Sequence, residues 1–83
     1  MSQRDLAHLL AALGDLSSMR PGERVLTDDI DEAIGRGRGD MRTPLNLESL
    51  REQGLVMSLP DGTWALTPQG IAWLEQDREL SDR

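Results

Sequence analysis

The chain has 83 residues, of which 37% are hydrophobic, and it contains 14 Leu, two Trp and no Cys, Phe or Tyr. This length is that of one domain, and the absence of Cys excludes disulfides, thiolate metal sites and Cys nucleophiles. Nine Arg and no Lys stand against fifteen acidic residues, and the formal net charge of −6 disfavours long-range attraction to phosphate backbones.

The apolar residues are not gathered into one long run. No stretch approaches the ~20 apolar residues of a membrane-spanning helix, and the first residues do not resemble a signal peptide. We therefore expect a cytoplasmic protein. The chain is expected to form one domain over residues 1–83, with a core from about residue 3 to residue 76 and a frayed tail over 77–83.

A leucine stripe predicts the first helix. Leucines recur at three- and four-residue spacing, at Leu6, Leu9, Leu10, Leu13 and Leu16. This is the spacing of one apolar helix face, and it predicts a helix over about 3–13 that stops at Gly14. Residues 23–26, which follow a Pro-Gly turn, are too few for more than a bridge or a small strand.

The second helix is predicted to have Thr27 as its N-cap and to end at Gly35. Its buried side is expected to consist of Ile30, Ala33 and Ile34. Four acids stand near its start, Asp28, Asp29, Asp31 and Glu32, and negative charge is favourable at a helix N-terminus. Their spacing does not complete a calcium-binding loop, so no metal site is expected.

A third helix is predicted from Thr43, as N-cap, and Pro44, as first helical residue, to Gly54. Residues 55–59 and 63–66 then read as two strands of a hairpin. A last helix starts with Thr67 and Pro68 and has Ile71 and Leu74 as its apolar seam. The expected core includes Ile34, Leu47, Leu50, Trp64 and Leu66.

This order of elements resembles a winged helix-turn-helix domain of the bacterial transcriptional-regulator type. The residues that carry the resemblance are the segment from Leu50 to Val56, the Asp61-Gly62 turn and the run from Leu66 to Gly70. The resemblance covers about residues 27–74 and implies a small α+β fold with three helices, a two- or three-stranded wing and a C-terminal helix. The long Gly-Arg loop before the third helix departs from the pattern, in which a tight turn is usual.

The resemblance implies binding to double-stranded DNA through the third helix and the loop before it. Residues 36–57 carry four Arg and three acids, a net charge of +1, whereas the segments on both sides are net negative. Asn46 is placed on the side away from Leu47 and Leu50, where its amide could pair with adenine. The residues expected to contact DNA are Arg36, Arg38, Arg42, Leu45, Asn46 and Ser49.

Two further expectations belong to this DNA-binding hypothesis. One recognition helix contacts few bases, so we expect a homodimer. The loop over residues 36–40, which is rich in Gly, is expected to be mobile.

Other charges favour an alternative function, a winged-helix protein–protein interaction module or acidic adaptor that does not bind DNA. Glu48 and Glu52 lie on the exposed side of the predicted third helix, and the hairpin turn carries Asp61 and no Arg. Trp73 lies about 160° from Ile71 around the last helix, so we expect it to be half exposed. Trp73, Glu48 and Glu52 are the expected contacts with a protein partner.

No catalytic constellation is apparent in the sequence. His8 is the only His, and without Cys a nucleophile–base pair would require Ser or Thr beside this His. A phosphate-binding loop of the usual kind requires Lys, which is absent. We therefore expect no enzymatic activity and no cofactor.

Overall fold

Four helices and a two-stranded antiparallel sheet form the protein in a computed structural model, which describes residues 3–81, with side chains over residues 4–76. The elements are α1 (Gln3–Leu16), α2 (Thr27–Ala33), α3 (Arg42–Glu52), β1 (Val56–Ser58), β2 (Trp64–Leu66) and α4 (Pro68–Ser81). This content confirms the predicted α+β class. Helix α4 continues past residue 76, where the frayed tail was expected, and residues 82–83 of that tail lie outside the described range.

The sheet is a hairpin with one additional contact from the segment between α1 and α2. Val56 pairs with Leu66 and Ser58 pairs with Trp64 across the hairpin. On the other side of β2, Val25 forms an isolated bridge with Trp64, with backbone N···O distances of 2.8 and 3.0 Å. The expectation of a bridge within residues 23–26 is therefore confirmed, and β2 lies between β1 and this segment.

One hydrophobic core joins all these elements. It consists of Leu9, Leu10, Leu13, Val25, Ile30, Leu47, Leu50, Val56, Trp64, Leu66 and Leu74. Leu47, Leu50 and Leu66 are buried together as predicted, whereas Ile34 and Trp73 are half-buried at the edge of the core. The whole of β2 is buried, including Ala65, because the strand has neighbours on both faces and both sides.

Helix α1 does not stop at Gly14, so that prediction is wrong. Gly14 lies where α1 meets α4: a Cβ atom there would be 2.8 Å from Leu74 Cδ1 and 2.9 Å from Met19 Sδ. This glycine therefore leaves room for the side chains of Leu74 and Met19 against α1 and does not terminate the helix. The chain turns instead at Ser18 and Met19, which both have positive φ angles, and Leu16 at the helix end is exposed.

Three predicted details of the helix starts and faces are also corrected. Helices α2 and α3 begin at Thr27 and Arg42, so neither Thr27 nor Thr43 is an N-cap, and Thr43 is buried. Ala33 is exposed because the buried face of α2 is formed by Ile30 and Asp31. The prediction for α4 is confirmed: the Thr67 hydroxyl accepts a hydrogen bond from Gly70 N at 3.1 Å, as an N-cap does.

Candidate interaction surface around the third helix

The segment that leads into α3 begins at a well-formed helix end. Gly35, with φ of +79°, takes the left-handed conformation after α2. Its N–H donates to Glu32 O at 3.3 Å, and Arg36 N donates to Asp31 O at 2.8 Å. These two bonds are the pair expected of a Schellman motif, and they set the direction in which the loop leaves the helix.

Asp31 is the anchor of this loop. Its side chain is buried, with Oδ1 accepting from the Thr43 hydroxyl at 2.5 Å and Oδ2 accepting from Gly39 N at 3.2 Å. The Thr43 hydroxyl in turn accepts from Arg36 Nη1 at 3.0 Å. A buried carboxylate is costly unless it is hydrogen-bonded, so these partners make its burial possible. The result is a polar connection from α2, through the loop, to the first turn of α3.

Two residues of the loop over 36–40 form hydrogen bonds that fix their positions. Gly39 is bound to Asp31, and Asp40 accepts from the backbone N–H of Arg42 at 2.9 Å. The expected mobility of residues 36–40 stays a prediction, but these hydrogen bonds argue against it.

The exposed arginines of the loop have acidic partners within the chain. Arg38 donates to Glu32 Oε1 from Nε and Nη2, at 3.1 and 2.8 Å. Arg42 binds both carboxylate oxygens of Asp40, at 3.1 and 2.7 Å. The bonds from Arg42 lower the pKa of Asp40 to about 2. The charge of these arginines is therefore balanced locally.

Asn46 is not on the exposed side of α3, so its predicted orientation is wrong. The buried face of the helix consists of Thr43, Asn46, Leu47 and Leu50. These positions follow the three- and four-residue spacing of one helix face, which includes Asn46. The side chain is 2% exposed, and its Nδ2 has no acceptor among the described residues. It therefore cannot reach a base edge without a rearrangement of the core.

The outer face of α3, defined here as Met41, Leu45, Glu48 and Glu52, is apolar at one end and acidic at the other. Met41 and Leu45 are 78% and 59% exposed, the highest values among the exposed large hydrophobic residues of the described chain. Met41 precedes the helix but has helical backbone angles, so it lies one turn before Leu45 on the same side. Glu48 and Glu52 are exposed as predicted.

Two residues next to this face complete its description. Arg51 donates to Glu48 Oε2 from Nη2 at 2.7 Å and from Nε at 3.1 Å, so one cation is held among the acids. Ser49, another expected DNA contact, is half-buried, so of the expected contacts Leu45, Asn46 and Ser49 only Leu45 is exposed.

The hairpin turn presents a second polar cluster. Asp61 Oδ1 accepts from the Thr63 hydroxyl at 2.5 Å and from Thr63 N at 3.2 Å, and Oδ2 accepts from Arg24 at 2.8 Å. These bonds, led by that from the Thr63 hydroxyl, lower the pKa of Asp61 to about 2. The turn therefore stays negatively charged at neutral pH, and its nearby Arg24 is engaged by Asp61.

Trp73 lies at a separate site on α4. It is half-buried, as predicted, and lines a groove of about 310 Å³. The other lining residues come from the turn between α3 and β1 and from α4, and they are Gln53, Leu55, Gln69, Ala72 and Gln76. We call this site the Trp73 groove.

Sequence reasoning missed the burial of Asp31, which sets the entry into α3. The signal was present, because Asp31 lies one residue after Ile30 and three before Ile34, on the same helix face.

Neither a metal site nor a membrane span is found in the part of the chain that the structure describes. Within residues 3–81, no group of three or more His, Cys, Asp or Glu side chains is placed to hold a metal ion. No helix in the same range is long and apolar enough to cross a membrane. Comparisons with protein-family models, with curated proteins and with solved structures give no match to this chain.

Proposed function

We propose that this chain is a protein-interaction module that binds its partner through the outer face of α3. The observation that carries the proposal is the exposure of Met41 and Leu45, one helical turn apart, at the start of that helix. Scattered single apolar residues are normal on protein surfaces, but neighbouring ones mark an interaction site more often. Leu45 is part of α3 and Met41 directly precedes this helix, so the helix holds both side chains in a fixed position for binding.

The arrangement of elements supports a winged-helix version of this module. Three helices precede a hairpin and a fourth helix follows it, and the segment between α1 and α2 pairs with the second strand of the hairpin. In such a domain α3 takes the place of the recognition helix. A recognition helix projects from the domain, so it is well placed to contact either a protein or DNA.

The electrostatics of α3 and its loop favour protein over DNA. DNA affinity rests mainly on cations that contact phosphates. Here Arg38 and Arg42 are paired with acids, and the outer face itself ends in Glu48 and Glu52. A protein partner that offers an apolar pocket for Leu45 and a basic group near Glu48 would complement this face.

DNA binding is the second candidate function, and one observation favours it. The side chains of Arg38 and Arg42 are 66% and 68% exposed although they are paired. The pair of Arg38 with Glu32 is exposed on both sides and contributes little to stability, so Arg38 can exchange its acid for a phosphate. Arg42 is held more firmly, because the side chain of Asp40 is only 18% exposed and accepts two bonds from it. This route needs the loop to face the duplex while the acidic end of α3 stays clear of it.

A titration with labelled random-sequence duplex at low salt separates the two functions. We expect no binding of the wild type at micromolar concentration. If DNA is the ligand, the double variant Glu48→Gln, Glu52→Gln binds it more tightly, because two repulsive charges are removed. Salt-dependent binding of the wild type, with this response, would reject the protein-interaction proposal.

The positive test is affinity capture from a lysate of the source organism. The wild type is compared with the double variant Met41→Ser, Leu45→Ser and with the control variant Leu26→Ser. Leu26 is a comparable control because it is 55% exposed but lies outside α3. A partner that is retained by wild type and control and lost with the double variant supports the proposal.

A further inference from the structure

The Trp73 groove differs from the rest of the surface in its charge. None of the side chains that line it is ionisable: three are Gln, and the others are Leu55, Ala72 and Trp73. In the chain as a whole, 29% of residues are charged. The groove at the Asp61 turn, for comparison, is lined by three acids and one Arg, namely Glu23, Asp29, Asp61 and Arg24.

The walls of the groove are held by close backbone contacts. Thr67 Oγ1 donates to Gly54 O at 2.6 Å, and Thr67 N donates to Leu55 O at 3.1 Å. A Cβ at Gly70 would lie 2.1 Å from Leu55 O, so only glycine permits this approach of α4 to the hairpin. Two lining residues, Gln53 and Leu55, belong to the turn after α3, and these backbone contacts hold that turn against α4.

The side chain of Gln69 lies next to Gly54. Gly54 has φ of +77°, and a Cβ there would lie 2.7 Å from Gln69 Oε1. The absence of a side chain at Gly54 thus leaves room for the Gln69 amide at the groove. An amide carries both donors and an acceptor, so it can pair with a copy of itself.

We propose that the Trp73 groove binds a second copy of this chain in a two-fold symmetric dimer. A two-fold interface brings the same patch of both copies together, so the patch must be complementary to itself. A patch with charges of one sign repels its own copy, so it does not meet this requirement. A patch of amides, an indole and a leucine does meet it. Two chains of charge −6 repel, and exposed Glu52 and Glu75 adjoin the lining residues Gln53 and Gln76, so the dimer forms against a charge repulsion that salt screens. A basic partner would find no counter-charge in this groove.

Sedimentation equilibrium over a range of concentrations tests the proposal. We expect a reversible dimer that becomes tighter as salt is raised, because salt screens the repulsion between the two acidic chains. Heteromeric ion-pair contacts would respond in the opposite direction. A wild type that stays monomeric up to high micromolar concentration would overturn the proposal.

Two variants locate the interface. Gln76→Glu adds a like charge to both halves of the groove at an exposed position, and Trp73→Ala removes the aromatic anchor. We expect each to weaken the dimer by at least about tenfold. Trp73 touches the core, so circular dichroism must show that its variant is folded, and Gln76→Glu carries the test if it is not.

The control is Ala11→Glu, which adds the same charge at an exposed helical position outside the groove. We expect this variant to dimerise nearly as the wild type does. A dimer that Gln76→Glu leaves intact, or that Ala11→Glu weakens equally, would overturn the placement. The result is independent of the α3 proposal, because the outer face of α3 is unchanged in all three variants.

Discussion

Two polar clusters of the same chemistry hold the loop before α3 and the hairpin turn, and they differ in burial. The Asp31 cluster consists of Asp31, Thr43 and Arg36, and the Asp61 cluster consists of Asp61, Thr63 and Arg24. In each, the aspartate accepts from a threonine hydroxyl at 2.5 Å and from a backbone N–H at 3.2 Å. Asp31 is fully buried, whereas the Asp61 side chain is 43% exposed.

The difference shows that the same hydrogen bonds have different consequences in the two places. Water can replace the partners of Asp61 when a bond is broken, so the loss is small. Buried groups around Asp31 have no such replacement, and they keep the full cost of an unmade hydrogen bond. The hydrogen bonds of the loop before α3 are therefore important for the stability of the domain, whereas those of the hairpin turn can be broken at a low cost.

The largest expected effect is that of Asp31→Ala. The variant leaves the Thr43 hydroxyl and Gly39 N–H without their acceptor and opens a space in the core, which should lower the free energy of unfolding by about 2–4 kcal/mol. Urea unfolding measures this. Asp28→Ala, at an exposed acid of the same helix, is the control and should cost less than about 1 kcal/mol.

The same variant tests whether the loop is ordered. In the wild type we expect the amide of Gly39 to exchange slowly with solvent, because it donates to a buried carboxylate. In Asp31→Ala this protection should be lost. Fast exchange of Gly39 in the wild type would restore the expectation of a mobile loop over residues 36–40.

Asn46→Leu tests the reverse case, the removal of a buried polar group that lacks a partner. Asp31 is buried with its partners, but Asn46 is buried with Nδ2 unpaired among the described residues. Its replacement by an apolar side chain of similar size should raise the free energy of unfolding by about 1–2 kcal/mol. A variant less stable than the wild type would mean that the Asn46 side chain stabilises the core by more than the cost of burying its unpaired Nδ2.

The pH dependence of stability should report the exposed cluster. The pKa of Asp61 is about 2 in the folded chain, below its ordinary value of 3.8, so its ionised form favours folding. This contribution is complete above about pH 4 and is lost as the pH falls towards 2. Asp40 has the same shift and adds to the effect.

Thermal unfolding of Asp61→Asn between pH 5 and about pH 2 measures this contribution. The variant should be slightly less stable than the wild type at pH 5 and show a shallower fall towards pH 2. Parallel curves for the two proteins would mean that Asp61 titrates alike in the folded and unfolded chain.

The smallest expected effect is that of Arg38→Gln. The ion pair with Glu32 is exposed on both sides, and such pairs contribute little to stability. We expect an unfolding midpoint equal to that of the wild type within error. A clear loss would extend the structural role of the loop from Asp31 to its surface arginines.

Periodicity was sufficient to predict the order of elements in this sequence. The leucine stripe of α1, the Thr67 cap and the hairpin all lie where the pattern places them, because each depends on residues close in the chain. The prediction that α1 ends at Gly14 is wrong because this glycine lies against Leu74 of α4. A local sequence pattern does not contain so distant a neighbour.

The candidate site was harder to predict than the fold. Asp31 and Asn46 both occupy apolar helix faces, and their polarity suggested exposure where their spacing indicated burial. The loop arginines stand in the sequence as a cationic cluster, but their partners, such as Glu32 for Arg38, become neighbours only when α2 and the loop fold. Pairing of charges across a loop leaves no periodic signal.

The contact between Gly14 and Leu74 bears on how the chain folds during its synthesis. The first helix cannot complete its packing until the last one is present, because Leu74 belongs to the same core as Leu10 and Leu13. Contacts between segments so distant in sequence form late and slow the folding reaction. We therefore expect nascent chains that end before Leu74 to remain open on the ribosome and susceptible to proteases, with the core closing only after α4 emerges.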